Sequence, residues 1–234
     1  GAWCWQEHFA SAFAAAGYAV YALSLRGHGG SEGRERLRRL RIADYVADVA
    51  TVAATLPVAP ILIGHSMGGL VAQKYLERHP APAAVLLASV PTAGATGAAL
   101  RVLRHHPVQF AKINARLSLY PVVETVALAH EYLFSPTTPP ERVAAVQPQL
   151  QDESYRAFLD MMTSLPRPKR VAAPVLVLGA ADDGIFAPRE VEATARAYHT
   201  AATLYPGMGH NLMLDAGWER VAADIVAWLT ARGL

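Results

Sequence analysis

The sequence predicts an α/β fold: a doubly wound, mostly parallel sheet with helices over both faces. Three observations point there. Short aliphatic runs alternate with amphipathic, helix-length segments, first up to about residue 90 and again after residue 170. The glycine-rich loops follow the predicted strands, at the carboxyl ends where a parallel sheet gathers its functional groups. The chain has 234 residues, 53% hydrophobic and 17% charged, enough for one domain with a full core and incompatible with disorder.

Taken in order, Trp3, Trp5, Phe9 and Phe13 form an apolar stripe at helical spacing that ends at Gly17, a C-cap residue. Tyr18 to Leu25 reads as a buried strand, and Arg26-Gly27-His28-Gly29-Gly30-Ser31-Glu32-Gly33 as a mobile glycine loop leaving it. That loop has neither the glycine spacing nor the following helix of a dinucleotide site. Asp44 opens a helix to about Leu56, with Pro57 and Pro60 as punctuation. Ile61-Leu62-Ile63 then runs into Gly64-His65-Ser66-Met67-Gly68, followed by helical residues from Ala72 onward. A G-x-S-x-G pattern alone is a weak signal, but strand before and helix after are the setting that lifts a serine hydroxyl clear of the turn. The close approach of strand and helix admits only small residues beside the serine, here Gly64 and Gly68. The helix N-terminus, beginning near Met67, turns free N–H groups toward Ser66.

Ala84 to Val90 reads as a further buried strand. From 91 to 168 the alternation stops. Helical pieces at Leu100–His106, Val108–Leu117, Pro121–Leu133, Pro140–Val146 and Asp152–Leu165 are separated by prolines, with no strand pair. This predicts a helical cap, 91–168, inserted late in the sheet of a core formed by 1–90 and 169–234. Its aromatic and Met residues, Tyr132, Phe158 and Met161 among them, are more often helix packing than an acyl pocket. The sheet resumes at Pro174–Gly179 and Ala202–Tyr205, with helices at Pro188–Tyr198 and Trp218–Leu229.

Composition excludes several functions. A net charge of +2 is too small for a nucleic-acid surface, and the arginine run from Arg34 to Arg41 lacks interleaved aromatics. The single cysteine, Cys4, cannot form an intrachain disulfide. No apolar run approaches the roughly 20 residues of a membrane span. A cytoplasmic protein without stable membrane insertion is the expectation.

An acyl-transfer serine needs a base within reach and an acid to orient that base. Ser66, then Asp182 or Asp183, then His210 occur in chain order, each just past a predicted strand. Of nine histidines, only His210 sits in a glycine-rich loop after a late strand. His8, His79 and His199 lie in or at helix ends, His105 and His106 diverge, His130 is a lone cap residue, and His65 points away by the turn geometry. No cluster has zinc-ligand spacing, and no cofactor is expected.

Gly-His-Ser-Met-Gly-Gly, Arg-Gly-His-Gly-Gly-Ser, Asp182-Asp183 after Leu-Gly-Ala-Ala, and Pro-Gly-Met-Gly-His resemble the α/β-hydrolase superfamily over essentially the whole chain. Within it the chain is similar to esterases and lipases of the monoacylglycerol-lipase or lysophospholipase type. The Gly-Ala-Trp-Cys-Trp opening is also similar to the plant methylesterase and hydroxynitrile lyase branch. The resemblance implies hydrolysis of a small-molecule carboxylic ester, small to medium acyl or monoacylglycerol-like, through an acyl-enzyme on Ser66. His210 would be the base and the Met67 N–H an oxyanion donor. It also favours Asp183 over Asp182 as the acid, because Gly184-Ile185-Phe186 follows it as in relatives. The same triad could serve hydroxynitrile lysis, perhydrolysis or C–C hydrolysis, or the fold could be a ligand-binding receptor. Two departures stand out. Ser24 occupies the place of a usual aspartate, a structural position. The His-Gly oxyanion loop, counted back from Trp5, falls upstream of Gly1, as do the strands expected before it, unless Gly1-Ala2-Trp3 is itself that loop.

Overall fold

The computed structural model describes residues 1–234. The aromatic stripe at the start forms two short helices, α1 (Trp3–Gln6) and α2 (Phe9–Ala15), because His8 leaves the helical region at φ −136°, ψ −59°. Gly17, at φ +94°, ends the second one, a conformation glycine adopts without a Cβ penalty. Then comes α3 (Ile42–Ala53), where Asp44 accepts from the Arg41 N–H at 2.8 Å and so closes the first turn. β1 (Leu62–His65) leads into α4 (Met67–Leu76), and β2 (Ala84–Leu87) follows.

Residues between β2 and the next strand contribute α5 (Thr96–His105), α6 (Pro107–Arg116), α7 (Val126–Leu133), α8 (Pro140–Val146) and α9 (Tyr155–Thr163). Only an isolated bridge, Ser118 to Ser154, interrupts this helical stretch. It is tied to the rest of the molecule at several points. Arg41 reaches the buried Asp160 with two bonds of 3.1 and 2.7 Å, and Arg101 of α5 pairs with Glu190 at 2.6 Å. β3 (Val175–Ala180), α10 (Pro188–Ala197), β4 (Ala202–Tyr205) and α11 (Trp218–Thr230) complete the chain.

The four strands lie in the order β1-β2-β3-β4, every neighbouring pair parallel. Alternation along the strands divides the core. Val85, Leu87, Leu176 and Leu178 pack with Phe9, Phe13, Val221 and Ile225 of α2 and α11 on one face. Leu86, Val175 and Val177 pack with Ala72, Val191 and Ala195 of α4 and α10 on the other. α4 and α10 therefore lie on one face of the sheet, and α11 on the opposite one. No helix is long and apolar enough to cross a membrane.

One expected element is absent as a strand. Residues 18–25 take no regular secondary structure, pair with no strand and are exposed or half-buried, Tyr21 at 60%. Strand identity depends on a ladder partner as much as on β-branched composition, and the main chain beside this run supplies none. Ser24 gives it a different anchor. Its hydroxyl oxygen accepts from the Ala2 N–H at 2.9 Å, and its carbonyl accepts from the Ser31 hydroxyl at 2.6 Å.

Candidate active site

Ser66 sits between β1 and α4 with φ 52° and ψ −120°, a conformation that L residues seldom adopt. Its backbone holds the turn together: Ser66 N–H donates to Leu87 O at 3.1 Å, and Ser66 O accepts from Gly69 and Val90 N–H at 3.0 and 3.1 Å. Close packing falls differently on the three glycines than the motif suggests. A Cβ on Gly64 would lie 2.4 Å from Gly68 O, and one on Gly69 would lie 2.2 Å from Ser89 Oγ, whereas Gly68 has open space. Gly64 and Gly69 are therefore the sterically required pair. Met67 is the first helical residue, so its N–H has no intrahelical acceptor.

His210 lies past β4, its side chain 2% exposed, and its Nδ1 is 2.9 and 3.1 Å from the two carboxylate oxygens of Asp183. Asp183 lies past β3, with no exposed side-chain surface, and also accepts from the Ile185 and Phe186 N–H groups at 2.7 and 2.9 Å. A carboxylate can only accept, so the proton of His210 sits on Nδ1 and the lone pair on Nε2. Asp182 is exposed and turned away, accepting from the Gly207 N–H at 3.0 Å. Ser66, Met67 and His210 line one cleft of about 910 Å³ whose walls are mainly hydrophobic. Gly1, Trp3 and Cys4 line it too, but the Ala2 N–H of the alternative oxyanion segment is engaged by Ser24. No group of three or more His, Cys, Asp or Glu side chains could hold a metal ion.

His65, expected to point elsewhere than Ser66, makes its contacts with His210. Its ring lies 4.7 Å from that of His210, and its Nε2 is 3.0 Å from the His210 carbonyl oxygen, so Nε2 carries the proton and donates. Burial first, and the neighbouring His210 second, hold its pKa well below the usual histidine range, which keeps the ring neutral. Its position next to Ser66 was legible, but nothing local in the sequence shows a contact across 145 residues. Three other histidines are engaged elsewhere. His8 stacks on Trp218 at 4.4 Å, His79 on Tyr75 at 4.6 Å, and His106 pairs with Glu131 at 2.7 Å.

The glycine loop contributes a second polar feature of the cleft wall. His28 is buried at 4% exposure, with Nδ1 3.0 Å from Arg26 O and Nε2 2.8 Å from the Glu153 carboxylate, just ahead of α9. Burial alone would lower its pKa. The Glu153 hydrogen bond and charge, helped by the Arg26 carbonyl, outweigh burial and raise it, since both ring nitrogens face acceptors. A raised folded-state pKa contributes stability that is complete below the unfolded value of about 6.5 and is lost as pH rises through the folded one. Glu153→Gln should therefore lower the His28 pKa below the wild-type value in an NMR titration. The stability gap between the two proteins should be widest at mildly acidic pH and close on the alkaline side. An unmoved titration would show that the contact carries no charge coupling.

A family model described as serine aminopeptidase, S33, matches residues 3–217. The monoacylglycerol lipase of Mycolicibacterium smegmatis is 28% identical over 96% of this chain and 82% of its own length. The BpoC protein of Mycobacterium tuberculosis, which carries a non-heme bromoperoxidase name, is 31% identical over 79% of this chain and 72% of its own. A crystal structure of BpoC superposes with a TM-score of 0.73 at 26% identity, covering 97% of this chain and 87% of that one. The Paleococcus ferrophilus monoacylglycerol lipase shares the fold at a TM-score of 0.68 and 24% identity, over 95% of this chain and 87% of that one.

Proposed function

The chain belongs to the hydrolase family described as serine aminopeptidase, S33, and from that premise we propose that it is a carboxylic-ester hydrolase working through an acyl-serine. One observation carries the reading. A serine at the apex of a strained strand-to-helix turn opens on the same apolar cleft as a histidine whose far nitrogen is fixed by a buried carboxylate. His210 Nε2 takes the Ser66 proton as Oγ attacks the ester carbonyl. The negative charge on the former carbonyl oxygen is met by the Met67 N–H at the positive end of α4. Asp183 keeps the Nδ1 tautomer and stabilises the imidazolium, which then protonates the leaving alcohol. Water, activated by the same histidine, releases the acid.

Residues 91–168 act as a cap over a core of 1–90 and 169–234, and the apolar walls of the cleft suit small to medium acyl or monoacylglycerol-like esters. The relatives named monoacylglycerol lipase support that substrate class. The test compares p-nitrophenyl ester hydrolysis, and labelling by a fluorophosphonate, across acid-loop variants. Asp183→Asn should lower the rate by roughly 10²- to 10⁴-fold, since the amide presents the wrong partner to Nδ1. Asp182→Asn, which touches only the Gly207 N–H, should change it by less than about twofold. Equal losses in the two variants would sink the assignment.

The likeness to BpoC favours a second reading, cofactor-free perhydrolysis at the same triad. Hydrogen peroxide would then replace water in the second step and release a peracid. Peroxide-dependent oxidation of bromide in the presence of a carboxylic acid, abolished by Ser66→Ala, separates this chemistry from plain hydrolysis.

A further inference from the structure

The loops that carry Asp183 and His210 leave adjacent strands, and both close onto one short segment, Glu131–Ser135, at the end of α7. Gly184, directly after Asp183, has no room for a side chain there. A Cβ would lie 2.3 Å from Glu131 O and 2.8 Å from Tyr132 Cα. Gly209, directly before His210, is equally confined, with a Cβ placed 2.2 Å from Phe134 C and 2.5 Å from Ser135 N. Main-chain bonds fix the same junction, because Asn211 N–H donates to Leu133 O at 2.8 Å. Asp215 then spans the two sides. Its carboxylate, 1% exposed, accepts from Gly209 N–H at 2.7 Å, Ser135 N–H at 2.9 Å, Thr138 Oγ1 at 2.6 Å and Ala216 N–H at 3.0 Å. From the sheet side, His65 holds the His210 carbonyl. The main chain of residues 209–211 is thus pinned in turn at an N–H, a C=O and an N–H.

We propose that Glu131–Ser135, braced by Asp215, is a positioning template that sets the Asp183–His210 pair, so that this end of the helical insertion is part of the catalytic frame. The inference rests on the acyl-serine reading. The chemical reason lies in the charge of the brace. A buried carboxylate with four donors is held strongly, and its loss leaves several buried N–H groups without an acceptor. The distance between His210 and its two partners then relaxes, and a displacement of about 1 Å in a reacting group can cost up to 10²-fold in rate. Asp215 follows His210 by five residues and stands alone after Leu212-Met213-Leu214, an acid in an apolar run, which is the one local sign of a buried role.

The test is Asp215→Asn, whose amide offers one acceptor oxygen and turns an NH₂ toward donors. Assayed well below its melting temperature, the variant should lose about tenfold or more in kcat with KM within about twofold. The downfield NMR resonance of the proton shared by His210 and Asp183 should shift or broaden. A folded variant with unchanged kcat and an unchanged resonance, whatever its melting temperature, overturns the proposal and leaves Asp215 a stabilising residue only. Should Asp215→Asn not fold, Thr138→Val removes one of the four donors from the same carboxylate, and the same pair of readouts decides on a smaller scale. The resonance does not depend on turnover. If Ser66→Ala retained activity, the acyl-serine reading would fail while the resonance still reported on the template.

Discussion

Ser66→Ala should remove ester hydrolysis, by roughly 10⁴-fold or more in kcat/KM, while leaving the protein folded. The size of the loss follows from what is left behind. Without Oγ no acyl-enzyme forms, and only binding in the cleft and the Met67 N–H remain to favour attack by water. Stability should hardly change, because the structural duties of Ser66 belong to its backbone. Its N–H bonds Leu87 and its carbonyl bonds Gly69 and Val90, and its side chain does not cap α4. Alanine retains both backbone groups and carries the same positive φ with the same Cβ. Rates on p-nitrophenyl acetate and butyrate, fluorophosphonate labelling and a thermal melt on one preparation decide the matter. Wild-type turnover in a well-folded Ser66→Ala protein would rule out the acyl-serine mechanism outright.

What the sequence could show divides along physical lines. Elements bounded by proline, or held by periodic burial, were legible to the residue: α8 at Pro140–Val146 and β4 at Ala202–Tyr205. The elbow was legible because its steric demand is local. Elements that depend on distant partners were not. Tyr18–Leu25 has the composition of a strand but lacks a ladder, and the break between α1 and α2 lies at His8, where the aromatic stripe gives no warning. Two adjacent aspartates cannot be told apart by spacing. The structure places Asp183 on His210 and Asp182 on the Gly207 N–H, both just past the end of β3 at Ala180. His65, Glu153 and Asp215 gained their partners through the fold alone, across separations as large as 145 residues.

Gly64→Ala should be among the most damaging single-methyl changes in the chain, and Gly68→Ala among the mildest, although both glycines belong to the same five-residue motif. A methyl on Gly64 would sit 2.4 Å from Gly68 O and 2.8 Å from both Gly68 C and Gly69 Cα. Every one of these is backbone in the first turn of α4, so no side chain can rotate aside. Relief requires α4 to lift away from β1, which would separate Ala72 from the sheet and reorient the Met67 N–H at the start of the helix. Overpacking of this kind costs about 3 kcal/mol when the surroundings cannot yield, a large fraction of the stability of a typical domain. Gly68 is different, for nothing lies within 4 Å of its added methyl, and alanine favours a helix over glycine by about 1 kcal/mol. Gly68→Ala should therefore fold at least as well as wild type. Because Gly68 lines the cleft beside Ser66, its cost should appear in catalysis, as a raised KM for bulkier acyl groups. Urea unfolding midpoints and ester kinetics on the two variants separate these outcomes. Similar midpoints would mean that the elbow is looser than its geometry requires, and that the strain at Ser66 is not held in place by the approach of α4 to β1.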